Sequence, residues 1–193
     1  MNLPNQLTVG RLILCGLFTV ILELPYPWTG LAALSIFIIA SITDWLDGYL
    51  ARKWNLITDF GKLLDPLADK ILIAAAYIHF VDIGMAPAWV VVCIVTREFL
   101  ITGLRMLAAA KGTILAAEKL GKHKTISQIV TALVALILEA SEDIGWQFID
   151  SAAAREWIVI PLMMITLFFT LLSGLNYFTK NMHLFDDDKG KNT

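Results

Sequence analysis

Six apolar stretches separated by short polar joints organise the chain, at about residues 11–25, 31–52, 61–81, 87–110, 120–139 and 157–179. Each is near the roughly 20 residues that a helix needs to cross the hydrocarbon core of a bilayer. The pattern predicts an all-α, polytopic membrane protein with six transmembrane helices. The first stretch is short, and no small-residue cleavage site follows it, so it is expected to be a retained span rather than a signal peptide. Ahead of it, MNLPNQLTVGR places Pro4 before a helix-compatible run with Leu3, Leu7 and Val9. This favours a short N-terminal interfacial segment, the plainer alternative being a polar lead-in to the first span. No internal repeat or low-complexity tract suggests a second domain. Residues 1–180 are expected to form one membrane domain and residues 181–193 a polar cytoplasmic tail.

Composition supports the membrane reading over a soluble all-α core. Hydrophobic residues make up 58% of the chain and charged residues only 17%, against about 25% charged in a typical soluble domain. Charge also orients the spans. Arg11, Arg52, Lys53, Lys62, Lys111, Lys119, Lys122, Lys124, Lys180, Lys189 and Lys191 fall at alternate ends. Arg155 is the lone cation at the opposite ends, beside Glu23, Asp82, Glu142, Asp143, Asp150 and Glu156. The positive-inside rule then places both termini and the 52–62 and 110–122 joints in the cytoplasm. The expected location is the cell membrane, multi-pass, with the lipid bilayer as surrounding partner and no nucleic-acid partner. Cys15 and Cys93 lie in apolar runs without metal-like spacing and read as buried free thiols.

Against this background the segment DWLDGYLARKWNLITDFGKLLDPLADK is anomalous. It carries Asp44, Asp47, Asp65 and Asp69 inside apolar stretches, where each buried carboxylate costs a few kcal/mol. Helical rise places Asp44 about 13 Å and Asp47 about 9 Å from the cytoplasmic end of the second span. Asp65 and Asp69 reach about 6 Å and 12 Å into the third by the same measure. Asp44 and Asp47 are i, i+3 neighbours, while Gly61, Asp65 and Asp69 form an i, i+4, i+8 stripe. Two facing two-carboxylate edges would repel each other strongly without cations. Oxygen-only ligands favour hard ions such as Mg²⁺ or Mn²⁺, and four carboxylates suffice for two of them. The alternative is four separately neutralised aspartates near helix ends, which matching depth and facing argue against. Gly48, Ala51 and Gly61 sit one turn from the acids, where small side chains permit close helix approach or room for a ligand.

The pattern Asp44-x2-Asp47-Gly48-x2-Ala51-Arg52-x8-Gly61-x3-Asp65-x3-Asp69 resembles the full signature of the CDP-alcohol phosphatidyltransferase family, without a departure. The resemblance extends over nearly the whole chain. It implies a CDP-diacylglycerol donor, release of CMP, two divalent cations held by Asp44, Asp47, Asp65 and Asp69, and Asp69 as general base. It places Gly48, Ala51, Arg52 and Gly61 around the cytidine and its phosphate, brings Asn5 and Thr8 toward the same pocket, and implies a homodimer.

The acceptor alcohol is read from TREFLITGLRML and EKLGKHKT. Helical rise puts Arg105 about 9 Å from the cytoplasmic end of the fourth span, level with the aspartates, and Arg97 about 20 Å in. Glu98 nearly eclipses Arg105, predicting an Arg97–Glu98–Arg105 network that serves either a ligand or helix association. Lys122, Lys124 and Thr125 open the fifth span, where clustered cations and helix amides suit an anion, although Lys119 and its neighbours also fit lipid headgroups. Arg97, Arg105, Lys122, Lys124 and Thr125 are therefore the candidate phosphate-binding set. Both segments resemble the branch of the family whose acceptor is glycerol 3-phosphate; inositol phosphate is the alternative. His123 reads as an interfacial bystander. A divalent-cation transporter is the reading from another class, weakened because the second and third spans are apolar outward of Ala40 and Lys70, apart from His79.

Overall fold

The computed structural model describes residues 3–54, 59–110, 112, 119–146 and 150–181. Within these, the side chains of residues 3–7, 45, 47–54, 59–69, 110, 119–120 and 151 are outside the description. Among the described residues every regular element is helical: α1 (Leu3–Leu22), α2 (Thr29–Trp54), α3 (Asp59–Asp82), α4 (Ala88–Ala110), α5 (Lys119–Asp143) and α6 (residues 151–180). In α6 a π-helical turn at Arg155–Val159 joins Ser151–Ala154 to Ile160–Lys180.

One helix covers each expected apolar stretch. The N-terminal segment, expected as a short interfacial start or as a polar lead-in, is helical from Leu3 and continuous with the first apolar stretch. Pro4 falls in the first turn of α1, where a missing amide breaks no helical hydrogen bond, and no proline intervenes before Leu22. At the other end of the bundle, α3 and α5 stop at Gly84 and Gly145, with φ of 73° and 69°. Each glycine amide donates back to a carbonyl three residues earlier, closing the helix in the left-handed form that glycine adopts without strain.

In the bundle, α1 lies against both α2 and α3, α5 touches α2, α3 and α6, and α4 packs on α3 and α6. Gly30 lets α2 approach α5 closely: a Cβ there would meet an Asp143 carboxylate oxygen at 3.0 Å and the Ala140 amide nitrogen at 3.2 Å. The same carboxylate accepts from the Leu31 amide at 2.9 Å, satisfying an open donor at the positive end of α2. Phe18 of α1 and Phe37 of α2 pack at 6.1 Å, and Tyr77, Phe80, Val90, Ile94, Leu136 and Met163 fill the centre.

Polarity is distributed as lipid requires. Ile13, Val92, Phe168 and Leu175 are at least 60% exposed, whereas Thr8, Arg11, Lys124, Gln128, Thr131, Thr166 and Ser173 are buried. Hydroxyls bond across helices, as Thr131 does with Thr166 at 3.0 Å, which suits association by close packing and polar contacts in an apolar solvent. By length and composition, segments Gly121–Asp143 and Ala152–Lys180 are long enough to cross a membrane, and Thr8–Leu22 and Thr29–Asp44 are shorter apolar helices. The exposed Trp28, Trp89, Trp146 and Trp157 lie at the start of α2, the start of α4, just past α5 and the start of α6. They mark one end of the bundle as a belt of the kind that sits at headgroup level.

Candidate active site

A cavity of about 530 Å³ opens among α1, α2, α3, α4 and α5. On one side stands Asp44 of α2, whose carboxylate is paired with the guanidinium of Arg11 from α1. Arg11 is only 1% exposed and Asp44 41%, so the arginine is sealed behind the carboxylate it holds. Thr8, one turn earlier on α1, is fully buried. A carboxylate half open to a cavity is a hard oxygen donor and fits a divalent cation. The side chains of Asp47, Asp65 and Asp69 lie outside the described residues, as do those of Asn5, Gly48, Ala51, Arg52 and Gly61. Their backbones are helical, in α2 for the 47–52 set and in α3 for Gly61, Asp65 and Asp69. α1 packs on both α2 and α3, the two helices that carry the aspartate pattern.

The cavity is also rich in cations. Arg97, Arg105, Lys122, Lys124 and Thr125 all line it, together with Lys70 and Asp44, so the expected acceptor set shares one space with an aspartate of the signature. Their states differ. Lys124, 6% exposed, donates from Nζ to Glu98 Oε1 at 2.5 Å. Arg97 donates from Nη1 to the same oxygen at 3.1 Å and from Nη2 to Ser173 Oγ at 3.0 Å. Gln128 Nε2 also approaches Glu98 Oε1, at 3.5 Å. Glu98 thus gathers donors from its own helix and from α5, and Ser173 extends the network to α6. Thr125 returns its hydroxyl to the Gly121 carbonyl at 3.1 Å. Lys122 is exposed at the mouth.

Arg105 departs from the expected network. Its Nε donates to the Tyr177 hydroxyl at 3.2 Å, and its guanidinium carbon lies 5.2 Å from the centre of that ring. The physical reason is axial distance. Seven residues nearly eclipse around a helix, but they are separated by about 10 Å of rise, beyond one shared carboxylate. Arg105 turns to α6 instead.

Four contributors escaped the sequence reading: Arg11, Lys70, Gln128 and Tyr177. Arg11 registered only as an end charge. Its signal was the i, i+3 pair with Thr8 on an otherwise apolar helix, the same spacing that singled out Asp44 and Asp47. Tyr177 carries no such signal, because an aromatic in an apolar helix reads as packing.

Fold and cavity together define a helical membrane protein whose polar interior joins an aspartate-bearing helix pair to a basic wall. The chain belongs to the CDP-alcohol phosphatidyltransferase family, whose model matches residues 1–172. It is 45% identical to the CDP-diacylglycerol–glycerol-3-phosphate 3-phosphatidyltransferase of Bacillus subtilis strain 168, over 93% of this chain and 95% of the relative. The protein of the same name from Cereibacter sphaeroides is 32% identical, over 97% of this chain and 99% of its own length. That from Salmonella typhimurium strain LT2 is 36% identical, over 91% and 92%.

Proposed function

We propose that the protein transfers a phosphatidyl group from CDP-diacylglycerol to sn-glycerol 3-phosphate, giving phosphatidylglycerophosphate and CMP. The observation that carries this reading is one cavity lined by Asp44, Arg105 and Lys122 together. A diphosphate donor calls for the carboxylate side and a phosphorylated acceptor for the basic side, and full-length similarity to three enzymes of that name supports both substrates.

In this mechanism Asp44, Asp47, Asp65 and Asp69 hold divalent cations, Mg²⁺ or Mn²⁺, which when bound neutralise and polarise the diphosphate. Asp69 takes the proton from the acceptor hydroxyl as its oxygen attacks the lipid-side phosphorus. The bond from that phosphorus to the bridging oxygen breaks, and CMP leaves with the electron pair. Gly48, Ala51, Arg52 and Gly61 surround the cytidine and its phosphate, with Asn5 and Thr8 close by on α1. Arg11 orients Asp44. Arg97, Arg105, Lys122, Lys124 and Thr125 form the acceptor's phosphate pocket.

The membrane arrangement follows the same reading: six spans, with both termini and the cavity mouth on the cytoplasmic side of the cell membrane, and a homodimer as the working unit. The lysine and arginine asymmetry supports the orientation, and the tryptophan belt at the opposite end is consistent with it. A cysteine introduced at Asn55 should be labelled from the cytoplasmic side alone and one at Ser151 from outside alone; labelling of both from one side overturns this topology.

The function itself is tested by an acceptor panel. Purified protein with CDP-diacylglycerol and Mg²⁺ should release CMP with glycerol 3-phosphate and not with serine or free inositol. CMP release with inositol phosphate in its place would reassign the acceptor within the family, and a failure to release CMP with every alcohol would refute transfer.

A further inference from the structure

We propose that Tyr177 is a positioning residue that presents the guanidinium of Arg105 to the acceptor's phosphate. This deepens the reading of the basic wall as a glycerol 3-phosphate pocket and rests on it. Among the described residues, α6 contributes nothing to the cavity lining. Yet it touches both arginines of that wall, Arg97 through Ser173 and Arg105 through Tyr177. Ser173 and Tyr177 are one helical turn apart and therefore share a face. The last helix acts from behind the pocket.

The chemistry of the contact is specific. An arginine has one N–H on Nε and four on its two Nη atoms, and it can meet a phosphate side-on through Nε and one Nη or end-on through both Nη atoms. In this structure Nε is committed to the phenol at 3.2 Å, which leaves the end-on pair as the available fork. The ring beneath the guanidinium, 5.2 Å from its carbon, adds a cation–π contact that restrains the plane. Tyr177 is itself fixed: it is 2% exposed, and its carbonyl accepts from Asn181 Nδ2 at 2.7 Å at the end of α6. A long, otherwise mobile side chain is thereby held in one orientation before substrate arrives.

The test is a two-substrate kinetic matrix, read as CMP release from CDP-diacylglycerol and glycerol 3-phosphate, on wild type, Tyr177→Phe, Arg105→Ala and the double variant. Tyr177→Phe keeps the ring and removes the oxygen. Its acceptor KM should rise about three- to tenfold, while donor KM and kcat stay within about twofold. Arg105→Ala should raise acceptor KM further, and adding Tyr177→Phe to it should change nothing more, because the group being positioned is gone. A purely structural tyrosine would behave differently: both KM values would shift together, or the Tyr177→Phe effect would persist in the Arg105→Ala background. Either result overturns the proposal. Should Tyr177→Phe not fold, Tyr177→Leu removes the whole phenol and the same cycle applies: an acceptor KM rise that vanishes in the Arg105→Ala background supports the proposal, and one that persists there overturns it. If wild type turns over another phosphorylated alcohol and not glycerol 3-phosphate, the acceptor assignment falls. The same matrix run with that alcohol then decides the role of Tyr177 separately.

Discussion

Asp44 of α2 is the described aspartate of the cavity, and the rest of the aspartate pattern belongs to α2 and α3, with α1 laid against both helices. The basic residues come chiefly from α4 and α5, braced from behind by Ser173 and Tyr177 of α6. The two also balance charge differently. On the first, the four signature aspartates fall within 26 residues of sequence, from Asp44 to Asp69; Asp44 is held by the buried cation Arg11. On the second, Glu98 already engages Arg97 and Lys124. A carboxylate-rich wall in an apolar medium is completed by cations from solution. A wall with an internal carboxylate is partly satisfied before any ligand binds. Under the proposed function, the capacity for an acceptor phosphate rests on Arg105 and Lys122, two cavity cations whose described contacts include no carboxylate, with Arg97 and Lys124 as their framework. Damage to the first wall should appear in turnover, and damage to the second in acceptor affinity or stability.

The largest break in that contrast comes from the acids. Asp44→Asn keeps volume and removes charge, and it also leaves Arg11 buried without its carboxylate. Loss of several kcal/mol of transition-state stabilisation corresponds to a fall in kcat of about a thousandfold or more. Asp69→Asn should abolish turnover equally while donor binding remains detectable, since three carboxylates survive and the base is lost. Steady-state CMP release and equilibrium binding of CDP-diacylglycerol separate the two. Substantial activity in either variant would contradict the assigned chemistry.

Next is Glu98→Gln, which strikes the internal balance of the second wall. It leaves the buried Lys124 and the partly buried Arg97 facing an amide. Breaking a buried pair by removing one partner costs about 3–5 kcal/mol in protein interiors, so a clear drop in the melting temperature of the detergent-solubilised protein is expected. The acceptor KM should rise with it, while the donor KM moves less. Unchanged stability would mean that Glu98 is not the hub of this wall.

Arg105→Ala and Lys122→Ala should have intermediate effects confined to the acceptor. Each removes one charge-assisted contact worth about 1.5–3 kcal/mol, hence an acceptor KM higher by about ten- to a hundredfold. Lys124→Ala sharpens the comparison, because its charge is already directed at Glu98: it should cost more stability and less acceptor affinity than Lys122→Ala. The reverse ranking would return Lys124 to direct phosphate contact.

These differences explain what could be read from the chain alone. Asp44, Asp47, Asp65 and Asp69 stand out because charge in an apolar run is costly and because their spacing repeats at helical intervals on neighbouring helices. Helix positions followed from apolar run length, and Pro4 left open how the N-terminal segment joins the first span, because a proline in a first turn looks the same in a continuous helix and in a separate one. The basic set was recognisable as individual cations but not as a network. Which cation meets Glu98 depends on how α5 and α6 pack on α4, and spacing within one helix carries no such information. Hence the expectation of an Arg97–Glu98–Arg105 network erred by one member, with Lys124 in the place of Arg105. Gln128, Ser173 and Tyr177 have bland roles in their own helices and acquire a function only from across an interface.

The smallest expected effect belongs to a residue without a side chain. Gly174 lies on α6 where Arg97 crosses it: a Cβ there would come within 3.1 Å of Arg97 Cγ and 3.2 Å of its Nε. Two terms compete in Gly174→Ala. Alanine favours the helix over glycine by up to about 1 kcal/mol, and the new methyl presses on a side chain that must yield by a few tenths of an ångström. Arg97 is tied to Glu98 and to Ser173, so it cannot swing away without lengthening one of those bonds. A strained contact of this size costs roughly 1 kcal/mol, and the two terms nearly cancel. Stability should therefore change little, while the displaced Arg97 perturbs the wall it braces. We expect an acceptor KM raised by about two- to fivefold, from roughly 0.4–1 kcal/mol, with kcat and donor KM unchanged. Arg97→Ala removes the crowding atoms together with the guanidinium, so Gly174→Ala should have no further effect in that background. An effect of Gly174→Ala that persists with Arg97→Ala would place the constraint at Gly174 in helix packing rather than in the seat of the arginine.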